Sequence, residues 1–344
     1  MLDETDLRLA HLLQIDPRIS WARAGEILQI SPTTAANHWR RLVGSGLAWI
    51  TTYPNPDNRF TAVVEVDCRN EHLPAVIHRL CQHPLVVSVD EATGRRDLLL
   101  TVMAPDMTSL TNLIIDWIGK LEGVYGTRSS LVTTTIVGPE SWMLGVLTKR
   151  QIHQATPQLL PDRAPAQLGA ADRALADALA VNGRASIASL SQILDVPSST
   201  VHRRLTRLLA NRNVIMRCDV APELAGWLLE CTWMITVPLS HKTRIVDLLR
   251  QQPALRSCMW ITGINNLRVN FRLTYQGALD ALEARIATAI PGLAPDETIL
   301  HLRSHKSMGW LLNADGRCTG ELVAPAFGAQ TRALSPDQPE PGDR

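Results

Sequence analysis

Arg203, Arg204 and Arg207 stand close together in the stretch VPSSTVHRRLTRLLANRNVI (residues 196–215), which contains no acidic residue. An arginine side chain can donate two parallel hydrogen bonds to a guanine edge, or it can bind a phosphate of the DNA backbone. In a helix, Arg203 and Arg207 share one face with Ser199, because these residues recur every four positions. The opposite face is expected to pack in a core, since it carries Val201, Leu205, Leu208 and Leu209.

An earlier stretch, ISPTTAANHWRRLVGSGLAWI (residues 30–50), repeats this outline with fewer arginines. Its outer line is Thr33, Asn37 and Arg41. Its expected core positions are Ala35, Trp39, Leu42 and Val43. Neutralising phosphates with basic side chains supplies much of the affinity for DNA, so we expect this copy to bind more weakly.

Both stretches fit the third helix of a helix-turn-helix, in which a tight turn leads into a short helix that enters the major groove. The second copy is then the main DNA reader. Its predicted DNA contacts are Ser198, Ser199, Thr200, His202, Arg203, Arg204 and Arg207. Those of the first copy are Ser31, Thr33, Thr34, Asn37, His38, Arg40 and Arg41. The alternative is a solvated arginine face on an ordinary three-helix bundle, and this stretch alone leaves it open.

These helices belong to a unit that occurs twice in the chain. The helical parts align at a shift of 166 positions, which pairs Asp6 with Asp172, Arg18 with Arg184 and Arg41 with Arg207. The parts that follow align at a shift of 169, which pairs Pro84 with Pro253, Gly94 with Gly263 and Gly123 with Gly292. The duplication therefore covers most of the chain.

Each unit is predicted to contain three helices and then alternating strands and helices in the order βαββαβ. The fold class is therefore α+β, with two repeats, each a winged or three-helix helix-turn-helix domain followed by a ferredoxin-like domain. The predicted boundaries are 1–58 and 59–140 for the first unit, 141–167 for a Pro-rich linker, 168–226 and 227–312 for the second unit, and 313–344 for a partly disordered tail.

The helical stretches resemble the N-terminal signature of the bacterial Lrp/AsnC family of transcriptional regulators. The second copy carries the matching residues Asp172, Arg184, Ser186, Val196, Ser198, Ser199, Thr200, Val201, Arg203, Arg204, Arg207 and Leu208 in order. The first copy departs from the signature at Asn37 and His38, where the paired arginines of the family are expected. The resemblance implies binding to double-stranded DNA.

The βαββαβ parts resemble the effector and assembly domain of the same family, called RAM. Its marker is a turn containing Thr-Gly and then Asp, which occurs as Thr93, Gly94 and Asp97 and, with Asn in place of Asp, as Thr262, Gly263 and Asn266. The resemblance implies that an amino acid-like effector binds near these turns, and that chains form homo-oligomers, here at least a dimer of pseudo-dimeric chains. A purely structural hairpin turn is the alternative.

An enzyme of similar fold is an alternative, because siroheme decarboxylases resemble this family and include fused double units. The Tyr and His residues of their porphyrin-handling segment are missing from the corresponding stretches, so we expect no enzyme. A sensor whose helices no longer bind DNA is a third possibility.

Composition adds little to these hypotheses. Lys and Arg number 34 against 33 Asp and Glu, so any basic surface is local. The six cysteines form no C-x-x-C pair, which favours buried thiols in a reducing cytoplasm. The sequence predicts no metal, no cofactor and no membrane span, and hence a cytoplasmic protein.

Overall fold

The computed structural model describes residues 3–157 and 168–327. Each unit begins with a three-helix head. The helices of the first head are α1 (Glu4–Ile15), α2 (Trp21–Leu28) and α3 (Pro32–Gly44). The chain then continues into the strand β1 (Ala48–Pro54). Asp3 and Ser20 cap α1 and α2, as their position before an apolar repeat predicts.

The βαββαβ part of the first unit follows directly. Its elements are β2 (Phe60–Cys68), α4 (Leu73–Gln82), β3 (Val86–Ala92), β4 (Leu98–Ala104), α5 (Met107–Thr111) and β5 (Val124–Val137). The helix α5 continues as a π-helical turn over Asn112–Trp117 and a 3-10 turn over Ile118–Lys120. Both helices pack on one sheet face, where the buried core contains Val64, Leu80, Leu100 and Leu113.

The second unit repeats this order after the helix α6 (Lys149–Ala155). Its head consists of α7 (Ala170–Val181), α8 (Ile187–Leu194), α9 (Ser198–Ala210), β6 (Val214–Val220) and the short α10 (Pro222–Ala225). Its sandwich consists of β7 (Leu229–Ile235), α11 (Lys242–Arg250), β8 (Leu255–Ile261), β9 (Leu267–Leu273), α12 (Ala278–Ala289) and β10 (Glu297–Ser307). The predicted α+β fold with two repeats is confirmed.

The two four-stranded sheets join into a closed barrel. The strand β5 pairs with β2 of its own unit through residues 124–131 and with β8 of the other unit through residues 132–137. The strand β10 pairs in the same way with β7 and then with β3. The sheet faces that carry no helices therefore line a common interior, part of which is apolar and includes Val63, Leu99, Met234, Ile261 and Ile299.

The heads are held together by a reciprocal contact. The strands β1 and β6 pair antiparallel over their whole length. Arg18 donates to the carbonyl oxygens of Gly183 and Ala185, and Arg184 donates to those of Pro17 and Ile19. This exchange explains why the sequence places an arginine at the same position of both copies.

Three sequence-based expectations need correction. Val43 is 45% exposed rather than part of the core, because α3 ends one residue later and turns this side to solvent. The expected linker holds α6, and Leu147 and Ala155 bury their side chains in the core of the first head. The expected tail, residues 313–344, contains β12 (Cys318–Leu322), which pairs with β11 (Trp310–Leu312) and so extends the sheet next to β10.

The linker residues 158–167 and the tail residues 328–344 lie outside the described residues. Within the described residues, no helix has the length and apolar character that a membrane crossing requires.

Candidate nucleic-acid interface and ligand sites

The helix α9 presents the predicted DNA contacts of the second head to solvent. Ser198, Ser199, His202 and Arg203 are exposed, and Thr200 and Arg204 are half-buried on the flank. The opposite side, with Val201, Leu205 and Leu208, is buried against α7 and α8. Arg203 and Arg204 have no carboxylate within ion-pair distance among the described residues. They are therefore two cations that the fold leaves without an internal counter-ion.

Arg207 differs from its neighbours, because it is bonded to the first helix of its own head. Its Nη2 lies 2.8 Å and 3.0 Å from the two carboxylate oxygens of Asp172 on α7. The side chain is still 59% exposed. Arg207 therefore positions α9 on α7 while keeping part of its guanidinium at the predicted DNA face.

The first head has the same pair in a more buried form. Arg41 Nη2 lies 2.6 Å from Asp6 Oδ2, and the Asp6 side chain is fully buried. His38 Nδ1 lies 2.8 Å from Asp6 Oδ1. Asp3, Asp6 and His38 bring their ligand atoms within 4.8 Å of one another, and the Arg41 guanidinium forms ion pairs with both carboxylates of this cluster. His38, which aligns with Arg204, therefore bonds a buried carboxylate of its own head.

The remaining predicted contacts of the first head are partly occupied as well. Arg40 donates to Asn37 Oδ1 at 2.8 Å. Ser31 is the N-cap of α3, and its hydroxyl oxygen accepts from the backbone N–H of Thr34 and is also hydrogen-bonded to the Thr34 hydroxyl. Thr33 is exposed. In the second head the N-cap position is Pro197, so the exposed hydroxyls of Ser198 and Ser199 do not cap the helix.

The two hairpin turns predicted to hold an effector have their polar side chains engaged. Asp97 Oδ2 accepts from the backbone N–H of Cys68 at 2.7 Å. Asn266 bonds the backbone of Val237 twice, because Oδ1 accepts from its N–H at 2.8 Å and Nδ2 donates to its carbonyl at 2.9 Å. Each side chain thus fixes its turn to the end of the first strand of its own sandwich.

The threonines of the same turns connect the two units. Thr93 Oγ1 accepts from the backbone N–H of Leu300 on β10, and Thr262 Oγ1 accepts from that of Leu131 on β5, both at 2.9 Å. The following Gly94 and Gly263 have φ of 97° and 117°, a left-handed conformation that glycine adopts without strain. Each turn is therefore hydrogen-bonded to the strand of the other unit that pairs with both sheets, namely β10 for Thr93 and β5 for Thr262.

One group of polar residues was missed by the sequence reasoning. Four arginines with little exposure line a cavity between the two units, namely Arg217, Arg256, Arg268 and Arg272. The alternation of apolar and polar residues in β9 was visible in the sequence, but such a pattern is typical of a strand with one solvated face. Only the closure of the barrel buries that face.

Comparison with known proteins decides the family. The description "AsnC-type helix-turn-helix domain" matches residues 2–43, "Lrp/AsnC ligand binding domain" matches residues 61–141, and "Winged helix-turn-helix DNA-binding" matches residues 170–211. The chain belongs to the Lrp/AsnC family. It carries a DNA-binding type of head and the ligand-binding domain of Lrp/AsnC transcriptional regulators, in a tandem arrangement.

Relatives about as long as one unit match 39% of the chain. An uncharacterized HTH-type transcriptional regulator of Pyrococcus furiosus is 28% identical over 140 residues, which are 39% of this chain and 93% of the relative. The HTH-type transcriptional regulator LysM of Saccharolobus solfataricus is 27% identical over 136 residues, which are 39% of this chain and 95% of the relative.

The double-unit Lrp/AsnC architecture has a solved counterpart. The siroheme decarboxylase NirDL superposes with a TM-score of 0.58 at 12% identity, covering 89% of this chain and 93% of NirDL. Its complex with an iron-uroporphyrin III analogue gives a TM-score of 0.59 at 13% identity, over 94% and 96% of the two chains. At this identity the likeness shows the fold alone.

Proposed function

We propose that this protein is a sequence-specific transcriptional regulator whose second head is the main DNA reader. The observation that carries the proposal is the pair Arg203 and Arg204 on α9, which are cations without an internal carboxylate partner among the described residues. The aligned residues of the first head, Asn37 and His38, are uncharged or bonded to Asp6. The two heads therefore contribute unequally to DNA binding.

The geometry of the heads supports a paired DNA site. The heads are fixed to each other by the β1–β6 pairing and by the exchange between Arg18 and Arg184. Two third helices at a fixed separation suit two half-sites on one duplex. Because the heads differ in chemistry, the half-sites differ in sequence and in strength.

The test is genomic footprinting of the wild-type protein, followed by gel-shift titration of the recovered site. Arg203→Ala with Arg204→Ala should weaken binding to this site at least ~10-fold, since each strong contact to a base or phosphate contributes about 1–3 kcal/mol. The matched double variant Asn37→Ala with Arg40→Ala should weaken binding less. Equal losses for the two double variants would contradict the unequal roles of the heads.

We propose that a small, amino acid-like effector binds at the RAM domains and modulates DNA binding. We also propose that chains pair further into larger assemblies. The side chains of Asp97 and Asn266 are already bonded, so an effector at the turns has the backbone of Gly94 and Gly263 to contact. Footprinting with and without candidate amino acids tests the effector. Light scattering of the same samples tests the assembly.

A second candidate function is a tetrapyrrole decarboxylase. The double-unit fold that the chain shares with NirDL is compatible with it, whereas the missing Tyr and His residues speak against it. Absorption spectroscopy of the purified protein with an iron porphyrin carboxylate is the test. A bound tetrapyrrole that loses carbon dioxide supports this function, and DNA binding without any tetrapyrrole spectrum supports the regulator.

A further inference from the structure

A cavity of about 300 Å³ opens between the two sheets at the end of the barrel that faces β1 and β6. The strands β8, β9 and β10 supply most of its polar wall, and β3, β4, β6 and β7 contribute further polar residues. Its size is at the lower end of the range of small-molecule sites. The cavity is distinct from the Thr-Gly turns at residues 93–97 and 262–266, which do not line it.

Three of the four arginines of low exposure form ion pairs with two carboxylates of the wall. Arg217 Nε lies 2.9 Å from Asp219 Oδ2, and Arg272 Nε lies 3.0 Å from Glu230 Oε2. Arg256 lies between the two carboxylates, at 3.5 Å from Asp219 and 3.8 Å from Glu230. In this part of the wall the arginines are paired with carboxylates of the protein itself.

Arg268 is the arginine that lacks such a partner. It is 8% exposed, and no carboxylate of the described residues lies within ion-pair distance. Its Nη2 donates to Thr232 Oγ1 at 3.3 Å, and its Nε has no partner. A buried cation left in this state costs folding free energy. Such a cost is typical of residues kept for binding.

Asn270 and His301, which also line the cavity, contact Thr232 and carry further polar atoms without a hydrogen-bond partner. Thr232 Oγ1 accepts from Arg268 and from Asn270 Nδ2, so its own hydrogen is directed to His301 Nε2 at 3.0 Å. In the neutral imidazole, the proton then resides on Nδ1 of His301, which lies 3.6 Å from Asp90 Oδ2 and has no hydrogen-bond partner. Asn270 Oδ1 is also without a hydrogen-bond partner. Arg268 Nε and His301 Nδ1 are thus two donors, and Asn270 Oδ1 one acceptor, that the described residues leave without a hydrogen bond.

The duplicated unit provides an internal control for this arrangement. At the shift of 169 positions, the strand pair Met234–Arg268 of the second unit corresponds to Glu65–Leu99 of the first. Arg268, Asn270 and Arg272 are thereby replaced by Leu99, Thr101 and Met103. The barrel closes over either set of side chains, so closure itself does not require the arginines.

We propose that Arg268, Asn270 and His301 bind the carboxylate group of a small organic acid in this cavity. The wall carries five arginines, the four of low exposure and the more exposed Arg303, against the four carboxylates of Asp90, Asp219, Glu230 and Asp315, which leaves one spare positive charge. Lys306 adds little to it, because its Nζ donates to the carbonyls of Cys81 and His83. A single carboxylate balances this charge, whereas a phosphate dianion exceeds it. Asn270 Oδ1 favours an acid that carries a hydroxyl or amino group beside the carboxylate.

The test is calorimetric titration and thermal melting of the full chain with a panel of probes: 2-oxoglutarate, malate, glutamate, leucine, coproporphyrin III and inorganic phosphate. At least one carboxylate should bind and raise the melting temperature. Arg268→Met should weaken that binding about 10- to 100-fold, the loss expected for hydrogen bonds to a charged group. Arg244→Met, an identical change at an exposed position of α11, should bind as the wild type does.

The controls separate loss of binding from loss of fold. Arg268→Met should melt at or above the temperature of the wild type without ligand, because it removes an unpaired buried charge. Arg268→Lys should retain part of the affinity. Binding of the small acids assigns the site to a metabolite, and Arg268-dependent binding of coproporphyrin alone assigns it to a macrocycle carboxylate. The proposal is overturned if no carboxylate binds, if only phosphate binds, or if Arg268→Met binds as tightly as the wild type. None of these outcomes depends on DNA binding, which the gel shifts measure separately.

Discussion

Arg207 on α9 and Asp172 on α7 form a two-point ion pair at 2.8 Å and 3.0 Å, and Arg41 and Asp6 form the equivalent pair in the first head. Both pairs fix the third helix of a head to its first helix. They differ in environment, because Asp6 is fully buried whereas the Asp172 side chain is 18% exposed beside a more exposed arginine.

This difference predicts unequal stabilities of two matched variants. Asp6→Asn should destabilise the first head by about 2–4 kcal/mol, because it leaves Arg41 and His38 facing a buried neutral group. Asp172→Asn should cost less than about 1 kcal/mol, as expected for a partly solvated pair. Hydrogen exchange of α3 and α9 in urea measures both values. Equal losses would show that burial does not govern the strength of these pairs.

The DNA interface predicts a change in salt dependence. If Arg203 and Arg204 contact phosphates, the Arg203→Ala, Arg204→Ala double variant should lower the slope of log affinity against log salt by about 1–2, since each phosphate contact contributes about 0.9. Gel-shift titrations at several salt concentrations measure the slope. Thr33→Ala in the first head is the control, because it removes no charge. An unchanged slope for the double variant would mean that the arginines do not touch the backbone.

Exchanging Asp and Asn at the two hairpin turns should change the free energy of unfolding by unequal amounts. Asp97→Asn should be tolerated within about 1 kcal/mol, because an amide oxygen can still accept from the Cys68 N–H. Asn266→Asp should cost about 1–3 kcal/mol, because a carboxylate cannot donate to the Val237 carbonyl and places a negative charge against it. Chemical denaturation of the two variants tests this order. Opposite ranking would indicate that the side chains act on something other than their own hairpin.

Burial of Lys306 should make the free energy of unfolding depend on pH. Its side chain is fully buried, and burial lowers its pKa from 10.5 to about 7. Between these pKa values the unfolded chain holds a proton that the folded chain lacks. The free energy of unfolding should therefore rise with pH by roughly 1.4 kcal/mol per unit.

The variant Lys306→Met isolates this effect. It should lack the rise, so the stability of the wild type relative to this variant should increase by about 2–3 kcal/mol between roughly pH 7.5 and 9.5. Urea denaturation across this range measures the difference. A constant difference would mean that Lys306 keeps an ordinary pKa in the folded protein.

Much of the architecture follows from the sequence alone. The Ser, Asp and Pro residues before each apolar repeat specify where α1, α2 and α3 begin, and the copy shifted by 166 positions confirms the assignment. Local hydrogen bonds and apolar periodicity determine these features, and both are visible in a single stretch of chain. The same holds for the βαββαβ order of the sandwiches.

Only the tertiary structure decides what the polar side chains face. Arg207 and His38 meet Asp172 and Asp6 because helices far apart in the sequence pack together. In β9, the alternation of LRVNFRL predicts one apolar and one solvated face. The joining of both sheets through β5 and β10 turns that second face inward and buries Arg268. Burial of this kind depends on the pairing of distant strands, which the local pattern of residues does not encode.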